Sequence, residues 1–486
     1  MKALFVLLAW RCSRWLVCGM ALLAVWACTS RTLGTPHSEP QQVVQTKVTQ
    51  SQNRQLDLLF VVDDSPSMDK LQKKMAAQLP TFMSRLASID GGLPDLHVAV
   101  VSSSLAAGAF SDVPGCELGL PPGDDGGRFQ HKDGCGLNAG STFIKASPDG
   151  KNFTGAIEDV FACIAKLGQN GCGFEHQFES MRQALEKARS NDADNGGFLR
   201  EDAFLGIVML TNEDDCSAPF DSTLFDPGVD SVSSPLGALW SYRCSEFGHK
   251  CDQPLPHTAP ATPVTLTGCL SKEDTAGVHH LTPVSDFVAY LNSLKPDPNK
   301  LFVAVIGGPD KPYVVKARTG KDQPEIAHSC VVPATAAEEE TYADPGIRLL
   351  KFVEDLSGVF RSICDATFER AMTQIADALN ARLAPACIAG TFAQRSPTDA
   401  TPDCNVVLRT VGKDASNGSD KTLPFCDATN SNASTDTPCW KFEVNAKVCP
   451  NSQSLRLCYD QACQTRPTTT AVTQALVSCA LDLSKP

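Results

Sequence analysis

Asp63, Ser65 and Ser67 stand at alternate positions in the run Asp63-Asp64-Ser65-Pro66-Ser67, directly behind an apolar stretch, Leu56 to Val62, that only Asp57 interrupts. A carboxylate and two hydroxyls so spaced offer three oxygens from one tight turn. Oxygen is the donor that hard divalent cations such as Mg²⁺ and Ca²⁺ accept. A second concentration of carboxylates, Glu213-Asp214-Asp215, follows another apolar run. Its Asp214 joins the candidate ligands, with a solvated turn as the alternative reading of that run. Signatures of catalysis are missing: the chain holds no H-E-x-x-H, no G-x-S-x-G and no P-loop. His279-His280 precedes a helical pattern and reads as a surface or capping pair. The expected role is therefore binding, with a structural scaffold as the alternative and an envelope hydrolase as the least favoured third reading.

Such a turn has to be held by a rigid element, and Leu56 to Val62 reads as a strand buried on both faces. In open parallel α/β sheets, ligands sit just beyond the carboxyl ends of the strands, where this turn begins. Asp69 to Leu86 has helical apolar spacing, and Leu96 to Leu105 reads as the next buried strand. Helical patterns follow at Ala156–Leu167 and Phe174–Ala188, then a strand at Ala203–Leu210. A helix at Val284–Leu294, a strand at Leu301–Ile306, a helix at Ile347–Leu356, a short strand near Val359 and a helix at Thr367–Leu383 complete the series. Strands alternating with helices predict an α/β fold with a doubly wound, mainly parallel sheet. Two cysteine-bearing insertions, 106–154 and 217–278, interrupt it. A disulfide between Cys116 and Cys135 would close a loop of about twenty residues, which chain entropy credits with ~3 kcal/mol.

The chain carries 21 cysteines, of which Cys12, Cys18 and Cys28 lie in the N-terminal segment. The 18 that remain, without any C-x-x-C pair, imply disulfides in an oxidising compartment rather than zinc ligation. Eight of them fall after Leu383, where Asn, Ser and Thr-rich turns separate short strand candidates at Val406–Val411 and Trp440–Val444. Residues 385–486 therefore read as a small disulfide-rich β domain. A net charge of −13 argues against non-specific binding to nucleic acid or to an anionic membrane surface.

Asp63-x-Ser65-x-Ser67 followed by Met68 resembles the metal-ion-dependent adhesion site of von Willebrand factor type A domains. The resemblance spans 54–384 and implies a Rossmann-like type A fold. It also implies two further positions: a threonine from a second loop and an aspartate after a later strand. Here Glu175 stands where the threonine is expected and Asn212 where the aspartate is. Both are departures, and they keep the count of negative groups unchanged. By this reading Asp63, Ser65, Ser67 and Glu175 approach a divalent cation, Mg²⁺ or Ca²⁺, while Asn212 holds ligands or waters. A coordinating Glu175 lowers the residual charge available to capture a partner's carboxylate, which makes Ca²⁺ more suitable and leaves open whether the ion binds ligand or stiffens the fold. The layout is similar to that of the large cysteine-rich type A domain lipoproteins of myxobacteria, and the implied partner is a protein or a surface polymer.

Lys2, Arg11 and Arg14 precede an apolar run from Trp15 to Ala27, the length of a signal-peptide core. Val25-Trp26-Ala27-Cys28 resembles a bacterial lipoprotein signal, which implies lipidation of Cys28 and a membrane-anchored protein of the cell envelope facing periplasm or exterior. Trp26 departs from the small residue usual there, and cleavage after Ala27 or a retained anchor are the alternatives. Residues 29–53, rich in Ser, Thr, Gln and Pro, read as a flexible tether.

Overall fold

The computed structural model describes residues 43–49, 54–88, 92–119, 121–147, 150–273, 280–335, 340–383, 387–411, 419–426, 438–443, 452–458 and 472–482. The signal segment, Cys28 and His279 lie outside the described residues.

The central sheet has seven strands. In chain order they are β1 (Gln55–Val62), β2 (Asp95–Ser102), β3 (Ile144–Ser147), β4 (Gly150–Lys151), β5 (Phe204–Leu210), β6 (Leu301–Gly307) and β7 (Val359–Ser362). Across the sheet the order is β7-β6-β5-β1-β2-β3-β4. The five strands from β7 to β2 pair in parallel, and β3 and β4 add an antiparallel edge. The chain leaves β1 for β2 on one side and later returns to β5 on the other. That reversal opens a crevice at the carboxyl ends of β1 and β5.

Alternating residues of β1 feed two cores. Leu56, Leu58, Phe60 and Val62 face α1 (Asp69–Ala87), α2 (Ile157–Ile164) and α7 (Glu369–Leu383), while Leu59 and Val61 face α3 (Gln177–Arg189), α5 (Val284–Leu294) and α6 (Ile347–Asp355). Between β5 and α5 lies a short helix, α4 (Tyr242–Gly248). All seven residues of β5 and of β6 are buried, as a strand covered on both faces requires. The fold is thus an α/β, doubly wound type A-like architecture.

The insertions are held by disulfides, but not as expected. Cys116 pairs with Cys172 and Cys135 with Cys163, so no Cys116–Cys135 bridge exists. The first insertion folds back over the sheet instead of closing on itself, contributes β3 and β4, and is stitched to α2 and to the loop before α3. Cys216–Cys244 and Cys251–Cys269 brace the second insertion. A third excursion, unmarked by the sequence reading, lies between β6 and α6. Its strands Tyr313–Ala317 and Pro324–Ala327 form a small antiparallel sheet with Val264–Leu266 of the second insertion.

At the C-terminus two small sheets pack around Trp440, whose indole N–H donates to the Leu423 carbonyl at 3.1 Å. Cys404–Cys479 and Cys426–Cys439 staple them. The expected tether is partly a strand: Val43–Thr49 pairs antiparallel with Val472–Ala480 over seven residues. A segment ahead of the α/β domain thereby completes the sheet that follows it. Its alternation of Val43, Gln45, Lys47 with Val44, Thr46, Val48 is too weak to announce a strand without that distant partner.

Candidate metal centre

Asp63 is the first residue past β1 and is fully buried. Its N–H donates to the Leu210 carbonyl at 2.9 Å, carrying the β1–β5 register one step beyond the strands. The carboxylate is held in place by donors from three turns. Oδ1 accepts the Ser65 N–H at 2.8 Å and lies 3.5 Å from the Ser103 hydroxyl, and Oδ2 accepts the Thr211 hydroxyl at 2.7 Å. Met68, wholly buried, and Gln72 then seat α1. The Gln72 amide donates to the carbonyls of Asp63 and Gly168, both at 2.8 Å, which joins the turn after β1 to the loop after α2.

Glu175 reaches the same crevice from the loop before α3. Gly171 passes so close to β2 that a Cβ there would come within 2.4 Å of both Asp64 Oδ1 and Ser104 Oγ, so only glycine fits. The Cys116–Cys172 bridge pins the next residue. His176 N–H donates to the Ser103 carbonyl at 3.0 Å, and the Glu175 carbonyl accepts the Cys216 N–H at 2.7 Å. Glu175 is thereby fixed on both sides.

The residues after β5 divide between site and scaffold. Asn212 lies across the Ser67 hydroxyl, with Nδ2 at 3.0 Å and Oδ1 at 3.2 Å, and also donates to the Tyr342 carbonyl at 3.1 Å. It positions Ser67. Asp214 is not available as a ligand: Oδ2 accepts the Arg348 N–H and His249 Nε2, both at 2.8 Å, and Oδ1 accepts the Leu349 N–H at 3.1 Å. It caps the N-terminus of α6, where a carboxylate meets unpaired N–H groups and the positive end of the helix dipole. Asp215 likewise accepts the Phe178 N–H at the start of α3 and the Arg348 guanidinium. The member of the acidic run that joins Asp63 and Glu175 is Glu213. In an irregular turn no alternation rule says which of three consecutive acids points inward.

Asp63, Glu175 and Glu213 share one electrostatic predicament. Burial raises all three carboxyls above their usual range. Beyond burial, Glu175 is raised further by Glu213 and Asp63. Glu213, pushed up to about 8, is raised by Asp344 and Asp63. Two other buried acids have arginine partners, Asp57 with Arg200 at 2.7 Å and Asp215 with Arg348 at 3.0 Å. Buried Asp64 has instead the Ser104 hydroxyl, at 2.8 Å, and is pushed up to about 7 by burial. Around Asp63, Glu175 and Glu213 the neighbouring charges are more carboxylates. Two buried oxygens, Glu175 Oε1 and Ser65 Oγ, have no hydrogen-bond partner. Unpaired buried charge is costly unless a cation compensates it. Carboxylate and hydroxyl oxygens without nitrogen or thiolate donors are the set a hard divalent cation takes, so the chemistry of the residues fits one, although the three carboxylates do not all lie within 4.8 Å of one another. Asp63, Ser65, Ser67, Glu175 and Glu213 would hold it, and the ion would supply the positive charge their arrangement lacks.

Thr211 and Ser103 were not singled out from sequence, and Glu213 only as a member of its acidic run. Val62 lies opposite Leu210 and Ser102 in the ladders, so Thr211 and Ser103 occupy the positions level with Asp63. Aligning the ends of the three apolar runs would have found them. A separate convergence, Cys426, Cys439 and Cys458, has no free thiolate: Cys426 is bonded to Cys439, and Cys458 is also disulfide-bonded.

No family model and no curated protein matches the chain. Solved structures similar to it include a conserved hypothetical protein, BatB, from Bacteroides thetaiotaomicron, at 7% identity and TM-score 0.26, covering 67% of this chain and 98% of that one. A von Willebrand factor type A protein from Catenulispora acidiphila gives 10% identity and TM-score 0.27, covering 92% of this chain and 67% of that one. The pilus adhesin SpaC from Lactobacillus rhamnosus GG gives 10% identity and TM-score 0.29, with 92% of this chain matched to 43% of that one.

Proposed function

We propose that the chain is an exported, lipid-anchored binding module of a bacterial envelope, not an enzyme, that engages a protein or surface polymer at the carboxyl ends of its central sheet in a cation-dependent manner. The observation that carries this reading is the set of two buried carboxylates, Asp63 and Glu175, and the half-buried Glu213, which come from three turns without a basic partner. Seven disulfides among the described residues support an oxidising compartment. The Cys28 anchor and the signal segment rest on the sequence alone. No helix among the described residues is long and apolar enough to cross a membrane.

Three carboxylates favour Ca²⁺ over Mg²⁺, since Ca²⁺ accepts more of them and tolerates looser geometry. They also favour a second reading, in which the ion only stiffens the fold. The two separate in one experiment, in which envelope extract is passed over the immobilised protein with and without chelator while melting is followed in parallel. Loss of capture at unchanged melting temperature supports ion-dependent binding. Loss of both together supports the structural ion, and capture indifferent to chelator contradicts the proposal.

A further inference from the structure

Glu175 and Glu213 also line a cavity of about 290 Å³ whose other walls come from the insertions. Trp240, Ser241, Tyr242 and Ser245 form one side, and Lys316, Arg318, Glu325 and His328 form another, with Tyr342 and Asp344 closing it. Among these lining residues most charges are already answered. Lys316 pairs with Glu325 at 2.9 Å, and Asp344 with His328 at 2.7 Å. Asp214 and Asp215 are taken by helix N-termini, His249 and Arg348. Arg318 lies over the Trp240 ring at 3.4 Å and donates to the Gln323 side chain. Among the acids Glu175 and Glu213 are left, and among the bases Arg318, which has no carboxylate partner among the described residues. Glu175 is 2% exposed, and its Oε1 has no donor.

We propose that this cavity receives a cationic group, the lysine or arginine side chain of a partner protein, beside the ion. The inference rests on the cation-centred reading above and states what that reading would recognise. Three carboxylates set against a divalent ion leave the locality negative. A partner's carboxylate would be repelled there, whereas an ammonium or guanidinium group would be attracted. The aromatic walls of Trp240, Tyr242 and Tyr342 suit the aliphatic stem of such a side chain. Selectivity would thus be for basic surfaces, and the insertions would supply it.

The test uses the folded, disulfide-intact protein. Calcium is titrated first, by calorimetry. Two capped tripeptides, acetyl-Gly-Lys-Gly-amide and acetyl-Gly-Glu-Gly-amide, and free n-butylamine are then compared at saturating calcium by saturation-transfer NMR. The comparison is repeated with Ser241→Arg, which adds a further cation to the cavity wall. Ser241 makes no side-chain capping bond to α4, so the change does not remove one. The expected result is binding of the lysine peptide only, weakened at least tenfold in Ser241→Arg at a calcium concentration that saturates the variant. Preference for the glutamate peptide, or equal lysine-peptide binding by wild type and Ser241→Arg, overturns the proposal. Binding of n-butylamine as strong as that of the peptide overturns the assignment to a protein side chain. Normal calcium binding without peptide binding refutes this inference alone, while absence of calcium binding refutes the ion reading together with it.

Discussion

Replacing Glu213 by Gln should stabilise the calcium-free protein and lose most of that gain when calcium is bound. In the cation-free protein Glu213 is pushed up to about 8 from its ordinary 4.5, by burial first and then by Asp344 and Asp63. A carboxyl whose folded pKa is raised contributes stability that is complete below the unfolded value and is lost as pH rises from 4.5 to 8. At pH 7.5 the shift corresponds to roughly 4 kcal/mol of unfavourable charge, at about 1.4 kcal/mol per pK unit. Gln removes the charge but also the carboxyl's contact with Glu175, so a net gain on the order of 2 kcal/mol is the reasonable figure, several degrees in melting temperature. With calcium that gain is largely cancelled. Losing one of three carboxylates should weaken binding about ten- to hundredfold, which removes ~1.4 to 2.7 kcal/mol of ligand-linked stabilisation at saturation. Differential scanning fluorimetry at pH 7.5, in chelator and in millimolar calcium, reads both effects. A Glu213→Gln protein that melts lower than wild type in chelator and keeps the full calcium-induced rise would refute the reasoning.

Two further substitutions probe the supports of the site and the far end of the sheet. Thr211→Val deletes the hydroxyl that donates to Asp63 Oδ2 and should cost about 1 to 3 kcal/mol of cation-free stability. It should also lower calcium affinity roughly tenfold, whereas Thr211→Ser should keep most of both in the same melting and titration assays. At the opposite end, burial and then Arg200 hold the His97 imidazole down to about 4, so its contribution is present above 6.5 and lost as pH falls to 4. Asp57, raised by burial to about 6, has the opposite slope between 3.8 and 6, and the two nearly offset. His97→Gln leaves Asp57 unopposed, so between pH 7 and 4 the variant should gain about 3 kcal/mol relative to wild type. Urea unfolding at the two pH values checks this, and identical pH dependence would contradict it.

The α/β core was largely legible because its strands are buried on both faces. The apolar run ending at Val62 becomes Gln55–Val62, that ending at Leu210 becomes Phe204–Leu210, and the helix read as Val284–Leu294 is observed with those ends. Where information is non-local the reading failed. Val43–Thr49 becomes a strand only through a partner more than 400 residues away, and β3 and β4 are short edge strands whose pairing depends on how the first insertion folds back. Disulfide pairing failed for the same reason: Cys116, in the insertion after β2, meets Cys172, in the loop between α2 and α3, through the fold and not through nearness in sequence. At the site, Asp63, Ser65 and Ser67 follow β1 and Asn212 follows β5, while Glu175, placed by resemblance, comes from the loop before α3. The choice of Asp214 over Glu213 turned on side-chain directions in a bend, and Asp214 was drawn instead to the N-terminus of α6.

Calorimetric titration of calcium and of magnesium into wild type, Asp63→Ala and His280→Ala tests the account at its base. One site per chain should appear in wild type and in His280→Ala, with the stronger affinity for calcium, and no binding heat should appear in Asp63→Ala. Equal heats in wild type and Asp63→Ala would mean that the buried acids at the end of β1 do not hold the ion.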